Sequence, residues 1–229
     1  MRYYPLFLDL TQARCLVIGA GQVGRRKIAT LLECGVDDLL VLDPFVAPSV
    51  FSANFESPHV RFEQRTFSEG DLDGKTLIFA CTSSREVNKT VAAACRARNL
   101  PCNSIDAPRE GTFIIPSCIE KAPLTVALST GGASPALARV MRQDLETWLG
   151  EGYVPQARFL EKLRPLLLGA GLGSENNARI FRELSAPEFR SAFHTAVKTG
   201  EYADVLRMIQ AVVPPALHTS LKELLNGLD

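Results

Sequence analysis

Over the first hundred residues, short apolar runs alternate with helix-length amphipathic stretches, and near residue 111 that alternation stops. Residues 4–10, 15–18, 39–42, 60–64, 75–80 and 101–105 read as strands, with turn residues between them. Residues 25–34, 46–55 and 84–99 read as helices, with Pro48 in the first turn of the second and Ser84 capping the third. The run Leu77-Ile78-Phe79-Ala80 is apolar throughout, as a strand covered on both faces requires. Strand–helix alternation of this kind predicts parallel βαβ units in a Rossmann-type α/β sheet.

Beyond residue 111 the period changes. Residues 112–115 and 124–129 read as two strands with no helix between them, a hairpin-like extension of the main sheet. A helix over 135–149 follows, with Ser134 as N-cap and Pro135 at its first position. The remainder is helical only: 155–168, 174–184, 187–199, 201–212 and 214–226. Three parts follow from this: a Rossmann domain over 1–111, a small strand–helix region over 112–150 and an all-helical domain over 151–229. Phe113, Ile114, Ile115, Val126 and Leu128 cannot all join the first sheet and need cover, so 112–150 is the expected dimerisation region.

The most specific motif joins the first two buried strands. Ile18 runs into Gly19-x-Gly21-x-x-Gly24, a helix follows, and the next strand ends on Asp43, 19 residues after Gly24. Gly19 allows the tight turn, Gly21 the approach of backbone to a pyrophosphate, and Gly24 close packing of helix on sheet. The helix N-terminus offers unpaired N–H groups to phosphate. Asp43 is placed to accept hydrogen bonds from a ribose diol, and Pro44 and Phe45 after it bring no base for a 2′-phosphate, which favours NAD over NADP. The dinucleotide is expected across the carboxyl ends of the strands, near Gly19–Gly24, Asp43, Thr82, Ser83 and the loop after Ile105. Arg25, Arg26 and Lys27 have two readings, phosphate contacts or a solvated helix face.

Two further groups carry candidate chemistry. Asp106 follows the fifth buried strand and so lies at the nicotinamide end of a dinucleotide, where a carboxylate can take a proton as hydride leaves. It serves equally well as a cap of the turn before Pro108. The loop Ser129-Thr130-Gly131-Gly132-Ala133-Ser134 is rich in glycine and hydroxyls and opens a helix, which suits carboxylate or phosphate binding; an ordinary strand-to-helix connection has the same look.

Charge and composition narrow the field. Lys+Arg and Asp+Glu number 25 each, so no bulk charge draws the chain to nucleic acid or an anionic membrane. No apolar run reaches the length of a membrane span and the start lacks a signal-peptide core, so a cytoplasmic protein is expected. The cysteines 15, 34, 81, 95, 102 and 118 form no CxxC pair, and His59, His194 and His218 match no metal-ligand spacing, so no bound metal is expected.

Four motifs occur in one order: Tyr4-Pro5-Leu6-Phe7, then Gly19-Ala20-Gly21-Gln22-Val23-Gly24-Arg25-Arg26-Lys27, then Cys102-Asn103-x-x-Asp106-Ala107-Pro108, then Ser129-Thr130-Gly131-Gly132-Ala133-Ser134-Pro135-Ala136-Leu137-Ala138-Arg139. Together they resemble the precorrin-2 dehydrogenase module of the sirohaem synthase family, closely over residues 1–150 and loosely after. The resemblance implies NAD-dependent oxidation of precorrin-2 to sirohydrochlorin and, in some members, insertion of ferrous iron as a second substrate. It implies NAD contacts from backbone at Gln22–Val23 and Asp43–Pro44, and a catalytic role for Asp106 in both activities. It makes Ser129, Thr130, Gly131, Gly132 and Ser134 the expected substrate-binding loop. It also implies a homodimer built through the segment after the Rossmann domain. The longest members add a methyltransferase module; with the sequence ending at Asp229, precorrin-2 is expected from another protein.

Two rival classes share parts of the pattern. A non-enzymatic NAD-sensing domain explains Gly19–Gly24 and Asp43, but not Asp106 together with the 129–138 loop. An S-adenosylmethionine methyltransferase also ends its first strand in glycines, yet its cofactor has no pyrophosphate for Gly21 to admit.

Overall fold

The computed structural model describes residues 3–150 and 152–226. The chain divides into two compact units, 1–115 and 116–229.

In the first unit, strands β1 (Arg14–Ile18), β2 (Asp38–Leu42), β3 (Val60–Glu63), β4 (Leu77–Ala80) and β5 (Cys102–Ser104) form one parallel sheet. Its order is β3-β2-β1-β4-β5, the doubly wound arrangement with a crevice where the order reverses between β1 and β4. Helix α1 (Gln22–Glu33) follows β1, the short α2 (Pro48–Ser52) follows β2, and α3 (Arg85–Ala97) follows β4. Every residue of β4 is buried, and β1 and β2 are buried beyond their first residue. Side chains alternate between two apolar layers. Cys15, Val17, Leu39, Val41 and Phe79 pack with Ile28 and Leu31 of α1 on one face. Leu16, Leu40, Ile78 and Cys102 pack with Val91, Ala92 and Cys95 of α3 on the other.

Register fixes the ends. Ile18 pairs with Leu42 and with Ala80, and Ala80 pairs with Ser104, so four strands stop at one level. Past Ser104 the chain doubles back beside β5. Thr112 N donates to Cys102 O (2.8 Å), Cys102 N donates to Thr112 Oγ1 (2.8 Å), and Asn103 Nδ2 donates to Phe113 O (3.2 Å).

Two predicted strands are absent. Residues 4–10 form none: they add to neither edge of the sheet, and Tyr4, Leu6, Phe7 and Leu8 are exposed. Residues 112–115 form none either, since their hydrogen bonds go to Cys102 and Asn103 and Pro116 ends the run. The hairpin is instead β6 (Ser117–Lys121) with β7 (Leu124–Leu128), antiparallel around Ala122–Pro123. It is a separate two-stranded sheet and does not extend the first. Strand β6 was hidden because only Ile119 of its five residues is buried.

The second unit continues with helices α4 (Pro135–Gly150), α5 (Tyr153–Gly169), α6 (Ser174–Glu183), α7 (Pro187–Thr199), α8 (Ala203–Val212) and α9 (His218–Asn226). These agree with the periodicity of the sequence to within a few residues. Their core is Phe159, Leu163 and Leu167 of α5 against Ile180, Phe189, Phe193, Val205, Ile209 and Leu221. The expected start of a helical domain at residue 151 lies outside the described residues. No helix among the described residues is long and apolar enough to cross a membrane.

Candidate active site

The common strand ends bring Gly19, Asp43, Thr82 and Asp106 to one edge of the first unit. The β1 turn is stitched to its neighbours: Gly19 N donates to Leu42 O (2.8 Å) and Cys81 N donates to Ile18 O (2.7 Å). Gly19 has φ +98°, and a Cβ there would lie 2.7 Å from the Cys81 carbonyl. A Cβ on Gly24 would lie 1.9 Å from Gly19 O. The fold itself therefore requires these two glycines.

Gly21 is different. Its φ of −68° suits any residue, and a Cβ would meet nothing within 4 Å. Neither conformation nor packing demands glycine at this position, so the open space over it fits the approach of a ligand. Gly21 is also the N-cap of α1, with no side-chain cap and no acid in the first turn, which leaves the helix start open to an anion. Gln22 and Val23 form that first turn. Arg25 braces the loop from inside the helix by donating from Nε to Ala20 O (3.0 Å), a role that neither reading of the sequence anticipated.

Asp43 is 8% exposed, and its carboxylate is engaged with the chain itself. Oδ2 accepts from Ala20 N (2.7 Å), and Oδ1 accepts from Phe45 N (2.8 Å) and Val46 N (3.0 Å). The acid thus ties the glycine loop to the turn after β2, in addition to any contact with ribose. Pro44 is half-buried beside it.

Asp106 is exposed, and its Oδ1 accepts from Asn88 Nδ2 (3.0 Å) and Ser104 Oγ (3.2 Å). Asn88, fully buried on α3, also reaches Thr82: its Oδ1 accepts from Thr82 N (3.1 Å) and Thr82 Oγ1 (2.8 Å), and its Nδ2 donates to Thr82 O (2.9 Å). Ser83 is exposed at the same turn. Asn88 and Ser104 escaped the sequence reading. A signal for Asn88 existed: it shares a helical stripe with Val91, Ala92 and Cys95, where an amide stands among apolar residues.

Burial pushes the thiols of Cys15 and Cys81 up to about 11, so neither is a nucleophile near neutral pH. Among the described residues no group of three or more His, Cys, Asp or Glu side chains is placed to hold a metal ion.

The loop 129–134 lies in the second unit. Its hydroxyls close the loop on itself: Ser129 Oγ accepts from Gly131 N (3.1 Å), Thr130 Oγ1 from Ser134 N (3.3 Å) and Ser134 Oγ from Leu137 N (3.1 Å). Gly131 and Gly132 adopt φ of +64° and +89° to make the turn.

Comparison with known proteins agrees with this layout. Residues 6–117 match a family described as "Putative NAD(P)-binding", and residues 122–147 match one described as sirohaem biosynthesis protein central. The siroheme synthase of Methylobacillus flagellatus is 37% identical over 164 residues, 72% of this chain and 35% of that protein. The siroheme synthase of Nitrosomonas eutropha is 30% identical over 227 residues, 99% of this chain and 44% of that one. The chain is similar to siroheme synthases in both of its units. It spans well under half the length of these two relatives. The solved structure of SirC, a precorrin-2 dehydrogenase, covers 91% of this chain and is itself covered completely, with a TM-score of 0.72 and 23% identity, a likeness of fold. The segment that matches the NAD(P)-binding description, residues 6–117, includes the Gly19–Gly24 loop, Asp43, Thr82 and Asp106.

Proposed function

We propose that this chain oxidises precorrin-2 to sirohydrochlorin with NAD, and that Asp106 is its proton acceptor. The observation that carries this reading is the shared edge: an open glycine cradle at Gly21 and a carboxylate, Asp106, at the ends of strands that stop in register. A bound nicotinamide supplies the hydride acceptor. The chain supplies the rest. The N-terminus of α1 holds the pyrophosphate, Thr82 and Ser83 line the turn after β4, and Asp106 removes the proton that must leave the macrocycle as hydride departs. Loop 129–134, with Ser129, Thr130, Gly131, Gly132 and Ser134, is assigned to a substrate carboxylate. Relatives named siroheme synthase support a second step, insertion of ferrous iron as substrate, with Asp106 again receiving protons from pyrrole nitrogens. Anaerobic incubation with precorrin-2 and NAD, followed by ferrous iron, tests both steps by absorbance. Absence of NADH formation overturns the first, and an unchanged sirohydrochlorin spectrum after iron overturns the second.

The choice of NAD over NADP rests on Asp43, whose charge repels a 2′-phosphate. Calorimetry on the unmutated chain is expected to show tighter binding of NAD. Asp43→Asn is expected to weaken NAD binding and lower stability together, each by about 1.5–3 kcal/mol, because an amide replaces a charged acceptor of backbone N–H groups. Tighter NADP binding by the unmutated chain would refute the assignment.

The three-part division at 111/112 and 150/151 is retained as a functional scheme, with 112–150 as the dimerisation region. Its support is the exposed stripe Leu137, Val140, Met141 and Trp148 on α4. Sedimentation is expected to show a homodimer at micromolar concentration, and Leu137→Glu with Val140→Glu a monomer. A monomeric unmutated chain would remove this assignment. A cytoplasmic location, with neither nucleic acid nor membrane as partner, accords with the balanced charge.

A further inference from the structure

We propose that Asn88 is the positioning residue for Asp106, fixing one carboxylate oxygen so that the other alone is offered to the substrate; this rests on Asp106 being the base. The orientation of the amide is set by fixed partners. Thr82 N can only donate and Thr82 O can only accept, so Asn88 Oδ1 faces the first and Nδ2 the second. The remaining N–H of Nδ2 then points at Asp106 Oδ1, 3.0 Å away.

All four hydrogen-bonding positions of a fully buried amide are thereby used. Satisfying Thr82 alone accounts for three of them. The fourth, an N–H that burial obliges to find an acceptor, goes to the exposed carboxylate of Asp106 rather than to backbone. Its effect is on Asp106. With Ser104 Oγ, it places two donors on Oδ1, while Oδ2 accepts no hydrogen bond among the described residues. A carboxylate held in this way presents one oxygen in one orientation. The same amide grips the turn at Thr82, so the base and the cofactor-side turn are set by a single side chain.

The test is Asn88→Asp, which keeps an acceptor for Thr82 N–H and the hydroxyl but replaces Nδ2, the donor to both Asp106 Oδ1 and Thr82 O, with oxygen. In the full chain, kcat for precorrin-2 oxidation is expected to fall about 10–100-fold, the worth of a hydrogen bond to a charged group, with KM for precorrin-2 and the calorimetric Kd for NAD changed less than about threefold. The same substitution in an Asp106→Asn background is expected to leave the residual single-turnover rate unchanged, since the group it acts through is gone. An equal proportional loss in both backgrounds would show a structural role only and overturn the proposal, as would an unchanged kcat in the first. Should Asn88→Asp fail to fold, Ser104→Ala, which removes the other donor to Oδ1, must lower kcat without changing NAD affinity, or the proposal falls. Full activity of Asp106→Asn by itself would instead show that the assignment of the base has failed.

Discussion

Asp106→Asn is expected to oxidise precorrin-2 about 10²–10⁴-fold more slowly than the unmutated chain, the usual cost of losing a general base. The substitution keeps the shape of the side chain and an oxygen able to accept from Asn88 Nδ2 and Ser104 Oγ. What it removes is basicity. Thermal unfolding and NAD affinity, measured alongside the rate, are therefore expected to stay as they were. Asp106→Ala is a harsher variant, because it leaves the buried Asn88 N–H without its acceptor. Oxidation by Asp106→Asn at the unmutated rate would reduce Asp106 to a turn residue and leave the dehydrogenation without a base.

The second large effect separates two glycines three residues apart. Gly24→Ala puts a Cβ 1.9 Å from Gly19 O and 2.9 Å from Gly19 C, both backbone atoms of a turn held by Leu42. Either α1 or the β1 turn must move, at a cost of about 3 kcal/mol or more for overpacking against backbone. In a chain of this size that lowers the melting temperature by roughly 6–12 °C. Gly21→Ala meets no atom within 4 Å and adopts an ordinary φ of −68°, so it is expected to cost under about 1 kcal/mol, the scale of a helix cap. Its NAD affinity, by contrast, is expected to fall at least about tenfold, because the methyl occupies the space that backbone leaves for a pyrophosphate. Calorimetry and thermal unfolding on both variants check this. Unimpaired NAD binding by a stable Gly21→Ala protein would mean that the cradle is not the cofactor site.

Much of the layout was legible because strand ends and glycines obey local rules. The run from Ile18 through Gly24 to Asp43 identified turn, helix and acid, and register brought Asp106 to the same edge. What local pattern could not convey was long-range hydrogen bonding. Asp43 looked free for a ribose, yet it already accepts from Ala20, Phe45 and Val46, a partnership across 23 residues in the first case. Asn88 is 18 residues from Asp106, and no spacing rule connects the two. The misplaced hairpin has a similar cause. Residues 112–115 are apolar enough for a strand, but where their N–H and C=O groups go is decided by Cys102 and Asn103, not by their own sequence.

That return of the chain along β5 also settles how the sheet can grow. β5 is an edge strand, and an uncovered edge is a template on which another copy can add a strand, the route to runaway aggregation. Here Cys102 spends both its N–H and its C=O on Thr112, and Asn103 reaches Phe113. The border at β5 is capped at Cys102 by the returning chain, so a second copy cannot zip onto it there. The sheet's other border is β3, so a strand contributed to this sheet by a second copy has to add on that side.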